Sequence, residues 1–129
     1  MKRVLFTATL AGLMAATPGF ARQKPVPEAK PVGEPVNCIS INQIQESRVR
    51  SDSIIDFRVS GKKWYRNTLP QSCPSLGYEE RFSYRTSTSQ LCSVDTIAVL
   101  QNYGSRLQEG PHCGLGKFQP VELVRPTKK

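Results

Sequence analysis

Residues 55–69 read IDFRVSGKKWYRNTL, and this stretch decides the fold class of the chain. Its first half alternates isoleucine, phenylalanine and valine with polar residues, which is the pattern of a strand with one buried face. Gly61 and two lysines form a polar turn, and a second extended run follows until Pro70, which cannot donate to a sheet. The stretch therefore predicts an antiparallel β-hairpin.

Shorter runs of the same kind lie on both sides of this hairpin. Further strands are predicted over residues 38–44, 81–85, 94–100 and 115–123. The run at 94–100 suits a central strand covered on both faces, and a short helix over 42–48 is an alternative near the first strand. Gly110 and Pro111 are predicted to form a turn. Five or six short strands in about 90 residues predict a mainly β fold, either a small antiparallel barrel or a strongly curved sheet.

The first 21 residues have the three-part plan of a secretory signal peptide. Two basic residues come first, an uncharged apolar run follows, and a Gly-Phe-Ala cleavage site ends the segment at Ala21. The apolar run of about 14 residues is shorter than the roughly 20 that a membrane-spanning helix needs. We therefore predict a signal peptide over 1–21, a location in the periplasm or outside the cell, and no transmembrane segment.

Residues 22–36 read RQKPVPEAKPVGEPV and contain four prolines. Because proline lacks the backbone N–H and fixes φ, we expect an extended linker that joins neither a sheet nor a helix. A spacer is the preferred interpretation, and a stalk or docking segment is the alternative. The β domain is then expected over 37–126, followed by a basic tail at 127–129.

Four cysteines follow the predicted cleavage site, and an even number in a short exported chain indicates disulfides. They are Cys38, Cys73, Cys92 and Cys113. The chain has no C-x-x-C pair, which argues against structural zinc and against thioredoxin-like redox chemistry. Four cysteines allow three connectivities, and of these we favour the local loop Cys73–Cys92. The other two, Cys38–Cys113, would then tie the ends of the domain together.

Cleavage leaves 16 basic and 10 acidic residues, a net charge of +6 with histidine neutral. Many small secreted proteins carry an excess of this size without a specific partner, which is the preferred interpretation. The alternative is an anionic envelope component as partner, such as lipid head groups or an acidic polymer, more than nucleic acid. Basic and aromatic residues also cluster on the predicted hairpin and the next strand, where they form a candidate anion-binding patch. Its members are Arg58, Lys62, Lys63, Trp64, Arg66, Arg81 and Arg85. The alternative is that the rings belong to the core and the charges between them are merely solvated.

Residues that could carry chemistry are few. The chain has one histidine, His112, and no G-x-S-x-G or similar nucleophile turn. The adjacent Glu79 and Glu80 would point to opposite faces of a strand, so they would not act together as an acid–base pair. We predict no catalytic residue, no metal site and no cofactor. An enzyme with an unrecognised site around Asp95 and His112 is kept as an alternative.

Several segments of the chain together resemble a known family. They read CISI-x-x-I from Cys38, SDSIIDF, GKKWYRNTL, CPSL, LCSVD and CGLGKF. Over residues 37–124 the chain resembles an uncharacterised family of small exported four-cysteine domains of Gram-negative bacteria, a domain of unknown function. The resemblance implies an exported β-rich domain, and it implies no activity, cofactor or partner.

The sequence as a whole favours a non-enzymatic, monomeric β-domain, stabilised by disulfides, with a binding or structural role in the periplasm or the medium. The first alternative is an envelope-docking module that uses the basic hairpin, and the second is an enzyme. An inhibitor of a secreted enzyme that presents the Cys73–Cys92 loop is a further alternative.

Overall fold

The computed structural model describes Gly12 and residues 25–124. The predicted signal peptide, Gly12 apart, and the predicted basic tail lie outside these described residues. Within them, the strands are β1 (Ala29–Pro31), β2 (Cys38–Ser40), β3 (Glu46–Val49), β4 (Ile54–Val59), β5 (Lys63–Thr68), β6 (Phe82–Tyr84), β7 (Gln90–Cys92), β8 (Thr96–Tyr103), β9 (Arg106–Gly114) and β10 (Phe118–Leu123). A 3₁₀ helix covers Ile41–Gln43 and a short α-helix, α1, covers Leu76–Glu79. No helix in the described part is long and apolar enough to cross a membrane.

The strands form three antiparallel sheets, so the prediction of a mainly β fold is confirmed. The largest sheet has five strands in the order β1-β10-β5-β4-β3. The second pairs β2 with β7, and the third has the order β6-β8-β9. The described strands are thus more numerous than the five or six expected. None of these sheets closes or curls strongly over the described residues, so the predicted barrel or strongly curved sheet is not confirmed.

The predicted hairpin is present as β4 and β5, with Phe57 opposite Tyr65 in the register. Gly61 lies in its turn with φ +78°, a conformation that residues with a β-carbon rarely adopt. The predicted apolar face also holds, because Ile55, Phe57 and Val59 of β4 are buried in the core. The β6 and β8 predictions are likewise confirmed, and β8 is the middle strand of its sheet.

All three sheets contribute to one hydrophobic core. The Phe57 ring of β4 lies 6.1 Å from Phe82 and 5.6 Å from Phe118, both in edge-to-face geometry. The buried members of the core are Ile39, Ile55, Phe57, Val59, Leu69, Cys73, Leu76, Leu91, Ile97, Val99, Leu115 and Phe118. The five-stranded and three-stranded sheets therefore pack against the same group of aromatic and branched side chains.

The proline-rich segment differs from the prediction, because part of it joins a sheet. Residues 29–31 form β1, in which Pro31 lies opposite Val121 of β10. Val36 also pairs with Phe118. The physical reason is that β1 is an edge strand with β10 as its one neighbour in the described residues, and an edge strand tolerates a missing proline N–H.

The prediction of a turn at Gly110 and Pro111 is wrong, because both residues lie inside β9. Ala98 of β8 is opposite His112 and Leu100 is opposite Glu109, so two residues of β9 face one residue of β8. This is a β-bulge, a place where a sheet accepts both glycine and proline. The pair of residues that suggested a turn instead marks an irregularity in a strand.

Several strand boundaries also differ from the predictions, and the predicted strand 115–123 begins only at Phe118, as β10. The first predicted strand, 38–44, ends at Ser40 and gives way to the 3₁₀ helix, and β3 occupies much of the alternative helix at 42–48. The predicted strand 94–100 begins only at Thr96, since Val94 lies in the preceding turn with 87 % of its surface exposed.

The four cysteines form two disulfides, as predicted, but the favoured pairing is wrong. The bonds are Cys38–Cys92 and Cys73–Cys113. Cys38 and Cys92 lie directly opposite each other where β2 pairs with β7. Cys73 precedes α1, and Cys113 lies on β9. The register of β2 and β7 therefore places Cys38 beside Cys92, although the two cysteines are 54 positions apart in sequence. A short loop between cysteines, the basis of the predicted pairing, did not decide which ones join.

Candidate functional site

The candidate site lies on the outer face of the five-stranded sheet, meaning the face turned away from the core. Alternation along β3, β4 and β5 places charged side chains there in rows across the strands. One row contains Arg48, Asp56 and Arg66, and the next contains Glu46, Arg58 and Trp64. Arg50 follows β3 and reaches the same face.

Asp56 is the centre of this face and is fully buried. Arg66 donates two hydrogen bonds to it, from Nε to Oδ1 at 2.8 Å and from Nη2 to Oδ2 at 3.0 Å. Arg50 donates a third from Nε to Oδ2 at 2.9 Å. A buried carboxylate is tolerated when charged donors surround it in this way. Arg66, predicted as an exposed anion-binding residue, is therefore engaged inside the protein.

The proline-rich segment covers part of this arrangement. Nη2 of Arg66 also donates to the Pro27 carbonyl oxygen at 2.8 Å, across 39 positions of sequence. The side chains of Arg66 and Arg50 are only 14 % and 15 % exposed. The residues ahead of β1 thus help to remove the arginine–aspartate group from water.

Arg58 and Trp64, two other members of the predicted patch, also have partners within the protein. Arg58 donates to Glu46 at 3.1 Å and to Gln45 at 2.9 Å. Glu46 also accepts from Arg48, and the hydrogen bonds from Arg48 and then Arg58 hold the pKa of Glu46 below its usual value. Trp64 is half-buried, and the guanidinium of Arg50 lies 6.0 Å from the centre of its ring.

Lys62 and Lys63 remain exposed at the tip of the β4–β5 hairpin. The Nζ of Lys63 lies 5.1 Å from the centre of the Tyr65 ring, a cation–π distance. No acidic partner meets either lysine among the described residues. The tip therefore presents two positive charges to solvent.

Arg81 and Arg85 lie on a different sheet from the hairpin. They flank β6, at the edge of the three-stranded sheet. Arg85 is 89 % exposed and its Nη2 lies 3.4 Å from Glu109 Oε1. The seven predicted residues therefore do not form one patch. Arg58 and Arg66 are bonded to carboxylates of the protein, and Trp64 lies beside Arg50. The two lysines are exposed at the hairpin tip, and the last two arginines lie on another sheet.

Asp95 and His112, the residues of the enzyme alternative, have separate surroundings. Asp95 Oδ2 accepts a hydrogen bond from the Cys92 N–H at 2.7 Å, which closes the turn ahead of β8. His112 is exposed on β9, and its Nε2 lies 3.9 Å from Glu109 Oε2. No hydrogen bond within the described residues joins Asp95 to His112.

A groove of about 310 Å³, which the sequence did not predict, lies beside β3. Its lining consists of Pro25, Ser47, Arg48, Val49, Arg50 and Glu80. The available signal was the alternation Arg48-Val49-Arg50, which places both guanidinium groups on one face of a strand. That signal could not show which partners each arginine would have.

Comparisons with protein-family models, with curated proteins and with solved structures found no match to this chain. The resemblance to an uncharacterised exported family therefore stays a prediction. In residues 25–124 no group of three or more histidine, cysteine, aspartate or glutamate side chains could hold a metal ion. The candidate site is therefore described by its geometry alone. It consists of the buried arginine–aspartate group, the exposed lysines at the hairpin tip and the groove beside edge strand β3.

Proposed function

We propose that this chain is an exported, non-enzymatic β-domain with a binding or structural role in the periplasm or the medium. The observation that carries the proposal is the pair of disulfides, which leaves no free cysteine among the described residues. Disulfides persist in oxidising compartments and stabilise small domains, typically by about 2–4 kcal/mol each. The segment that resembles a signal peptide supports the same location.

The hydrogen bonds of three polar side chains support a binding or structural role over catalysis. Buried Asn67 donates to the Gly116 carbonyl oxygen at 2.7 Å and accepts from its N–H at 2.8 Å. Asp52 accepts from the Gly77 N–H at 2.7 Å, and Asp95 closes a turn in the same manner. These side chains fix the backbone, as side chains that satisfy orphan N–H and C=O groups do.

Intact mass spectrometry of the non-reduced protein from its native host tests this proposal. We expect the mass of residues 22–129, lowered by two hydrogens for each of the two disulfides. An uncleaved chain with free thiols would contradict export. A turnover that disappears when one polar side chain is changed would contradict the non-enzymatic role.

A second candidate function is docking on anionic envelope material through the hairpin tip. The observation that favours it is the exposure of Lys62 and Lys63 without an acidic partner in the described residues. Two adjacent unneutralised cations attract lipid phosphates or acidic polymers, and such attraction weakens with salt.

Binding to heparin and to phosphatidylglycerol vesicles, each across a salt titration, tests the docking function. We expect binding that falls steeply with salt, and Lys62→Glu with Lys63→Glu should abolish it. The matched control is Lys30→Glu with Lys117→Glu, which changes the net charge equally at exposed positions outside the hairpin. Binding that ignores salt, or that both double variants weaken equally, would contradict docking through the tip.

A further inference from the structure

Arg50 is fixed in position, but its two terminal nitrogens have no partner among the described residues. Its Nε donates to Asp56, and its guanidinium lies beside the Trp64 ring. No described side-chain nitrogen is buried without a partner, and no described acceptor meets the terminal Nη atoms of Arg50. Those atoms therefore face solvent. Because Arg50 lines the groove beside β3, the groove contains a preorganised guanidinium with unused donors.

Strand β3 presents unpaired backbone along the same groove. It is the outermost strand of its sheet in the described part of the chain, with β4 as its neighbour. The Arg50 N–H donates to the Ile54 carbonyl oxygen at 2.8 Å. Since residues of an antiparallel strand alternate, Ser47 and Val49 turn their N–H and C=O groups away from β4, toward the open edge. Both residues line the groove.

We propose that this groove binds an extended peptide segment with an acidic side chain, which adds to the sheet as a strand beside β3. The peptide backbone pairs with Ser47 and Val49, as in other cases of strand addition to an open edge. Its carboxylate accepts hydrogen bonds from the terminal nitrogens of Arg50, and guanidinium matches carboxylate in shape and charge. The proposal goes beyond docking through Lys62 and Lys63, because it uses neither residue.

The charges of the groove favour a single carboxylate over a polyanion. Arg48 and Arg50 supply two positive charges to its lining, and Arg50 already pairs with the Asp56 carboxylate. Arg48 is also hydrogen-bonded to Glu46. A polyanion such as nucleic acid would bring several further negative charges close to these two carboxylates, whereas a peptide with one acidic residue among neutral ones would bring a single charge. Val49 and Pro25 add apolar surface suited to a peptide backbone and small side chains.

The test uses the full chain with both disulfides and a short synthetic peptide of alternating threonine and valine with one central glutamate. Trp64 is the one tryptophan of the chain and lies beside Arg50, so its fluorescence reports on the groove. We expect a saturable change with this peptide. The glutamine version should bind at least about ten-fold more weakly, because a charge-assisted pair is lost. The same glutamate peptide N-methylated at alternate residues, which cannot pair as a strand, should not bind.

Two variants locate the binding on the protein. Ser47→Pro removes an outward N–H without removing a hydrogen bond to β4, so the protein should fold and bind the peptide at least about ten-fold more weakly. Arg48→Gln, at an exposed position, is the second variant and should weaken binding several-fold. Arg106→Gln removes an exposed arginine from edge strand β9 and is the matched control, for which we expect unchanged affinity.

Equal binding of the glutamate and glutamine peptides would overturn the proposal, as would binding of the N-methylated peptide or full affinity in Ser47→Pro. Absence of any binding by the unchanged protein would overturn it too. A concentration-dependent dimer that Ser47→Pro abolishes would assign the edge to a second copy of this chain instead. Each of these results leaves the vesicle and heparin test of the hairpin tip unaffected.

Discussion

Two groups of charged side chains in this protein have similar chemistry and opposite surroundings. On the five-stranded sheet, Asp56 accepts from Arg50 and Arg66 and is fully buried. On the three-stranded sheet, Glu109 lies near Arg85 and His112, at 3.4 and 3.9 Å, and all three are exposed. Because an unpaired charge costs far more free energy when it is buried than when water surrounds it, breaking the first group should destabilise the fold much more than breaking the second.

The buried group depends on coverage by a distant part of the chain. Arg66 donates both to Asp56 and to the Pro27 carbonyl oxygen ahead of β1. Glu109, Arg85 and His112 stay open to water instead, and the hydrogen bond from Arg85 to Glu109 is long, at 3.4 Å. The difference teaches that a proline-rich stretch can be part of the domain rather than a spacer.

Of the substitutions in the two groups, Asp56→Ala is expected to lower the free energy of unfolding most. It leaves two largely buried guanidinium groups without their carboxylate, which should lower the free energy of unfolding by about 3–5 kcal/mol. Urea denaturation followed by Trp64 fluorescence measures the loss. The matched control Glu109→Ala removes the exposed carboxylate and should cost no more than about 1 kcal/mol. Equal losses in the two variants would contradict the contrast.

Arg66→Lys is expected to lower the free energy of unfolding by an intermediate amount. Lysine keeps the positive charge but lacks the planar fork, so it cannot serve both oxygens of Asp56 and the Pro27 carbonyl together. We expect a loss of about 1–2 kcal/mol in the free energy of unfolding. Arg85→Lys, the same exchange in the exposed group, should leave the urea midpoint unchanged. An Arg66→Lys protein as stable as the original would show that the fork geometry has no role.

The smallest expected effect is a change in the pH dependence of stability. It involves Glu46, a partly exposed carboxylate beside the buried group. Hydrogen bonds from Arg48 and then Arg58 lower the pKa of Glu46 in the folded protein below its usual value of 4.5. A carboxyl group of this kind stabilises the fold above its unfolded pKa, and the stabilisation is lost as the pH falls through the folded pKa. Urea midpoints measured downward from pH 7 should therefore fall less steeply below about pH 4.5 in Glu46→Gln than in the original protein. Identical pH profiles would contradict this expectation.

The part of the fold that the sequence predicted depends on short-range patterns. The β4–β5 hairpin was predictable because its alternation and its glycine turn lie within 15 consecutive residues. Strand β6 and the buried centre of β8 follow from the same kind of local signal. The bulge at Gly110 and Pro111 was not predictable, because the same residue pair suits both a turn and an irregular strand.

The candidate site was predicted less well than the fold. A polar residue on the outward face of a strand is expected to be exposed, so the sequence predicts Arg66 as a free cation. Its burial depends on Asp56 across the sheet and on a segment 39 positions earlier in the chain, and neither contact has a local signature. Arg50 was missed for the same reason, since only its neighbours show that its Nε is engaged and its terminal nitrogens are not.

The sequence by itself determined that this chain forms β-strands, that its cysteines pair, and that it carries an excess of positive charge. These properties follow from the period of apolar residues, the number of cysteines and the formal charges, which do not depend on distant contacts. Only the tertiary structure decided which cysteines join, which arginines are engaged, and that the proline-rich segment becomes an edge strand. Those outcomes depend on strand register and on burial, which bring together residues far apart in the sequence and set how strongly their charges interact.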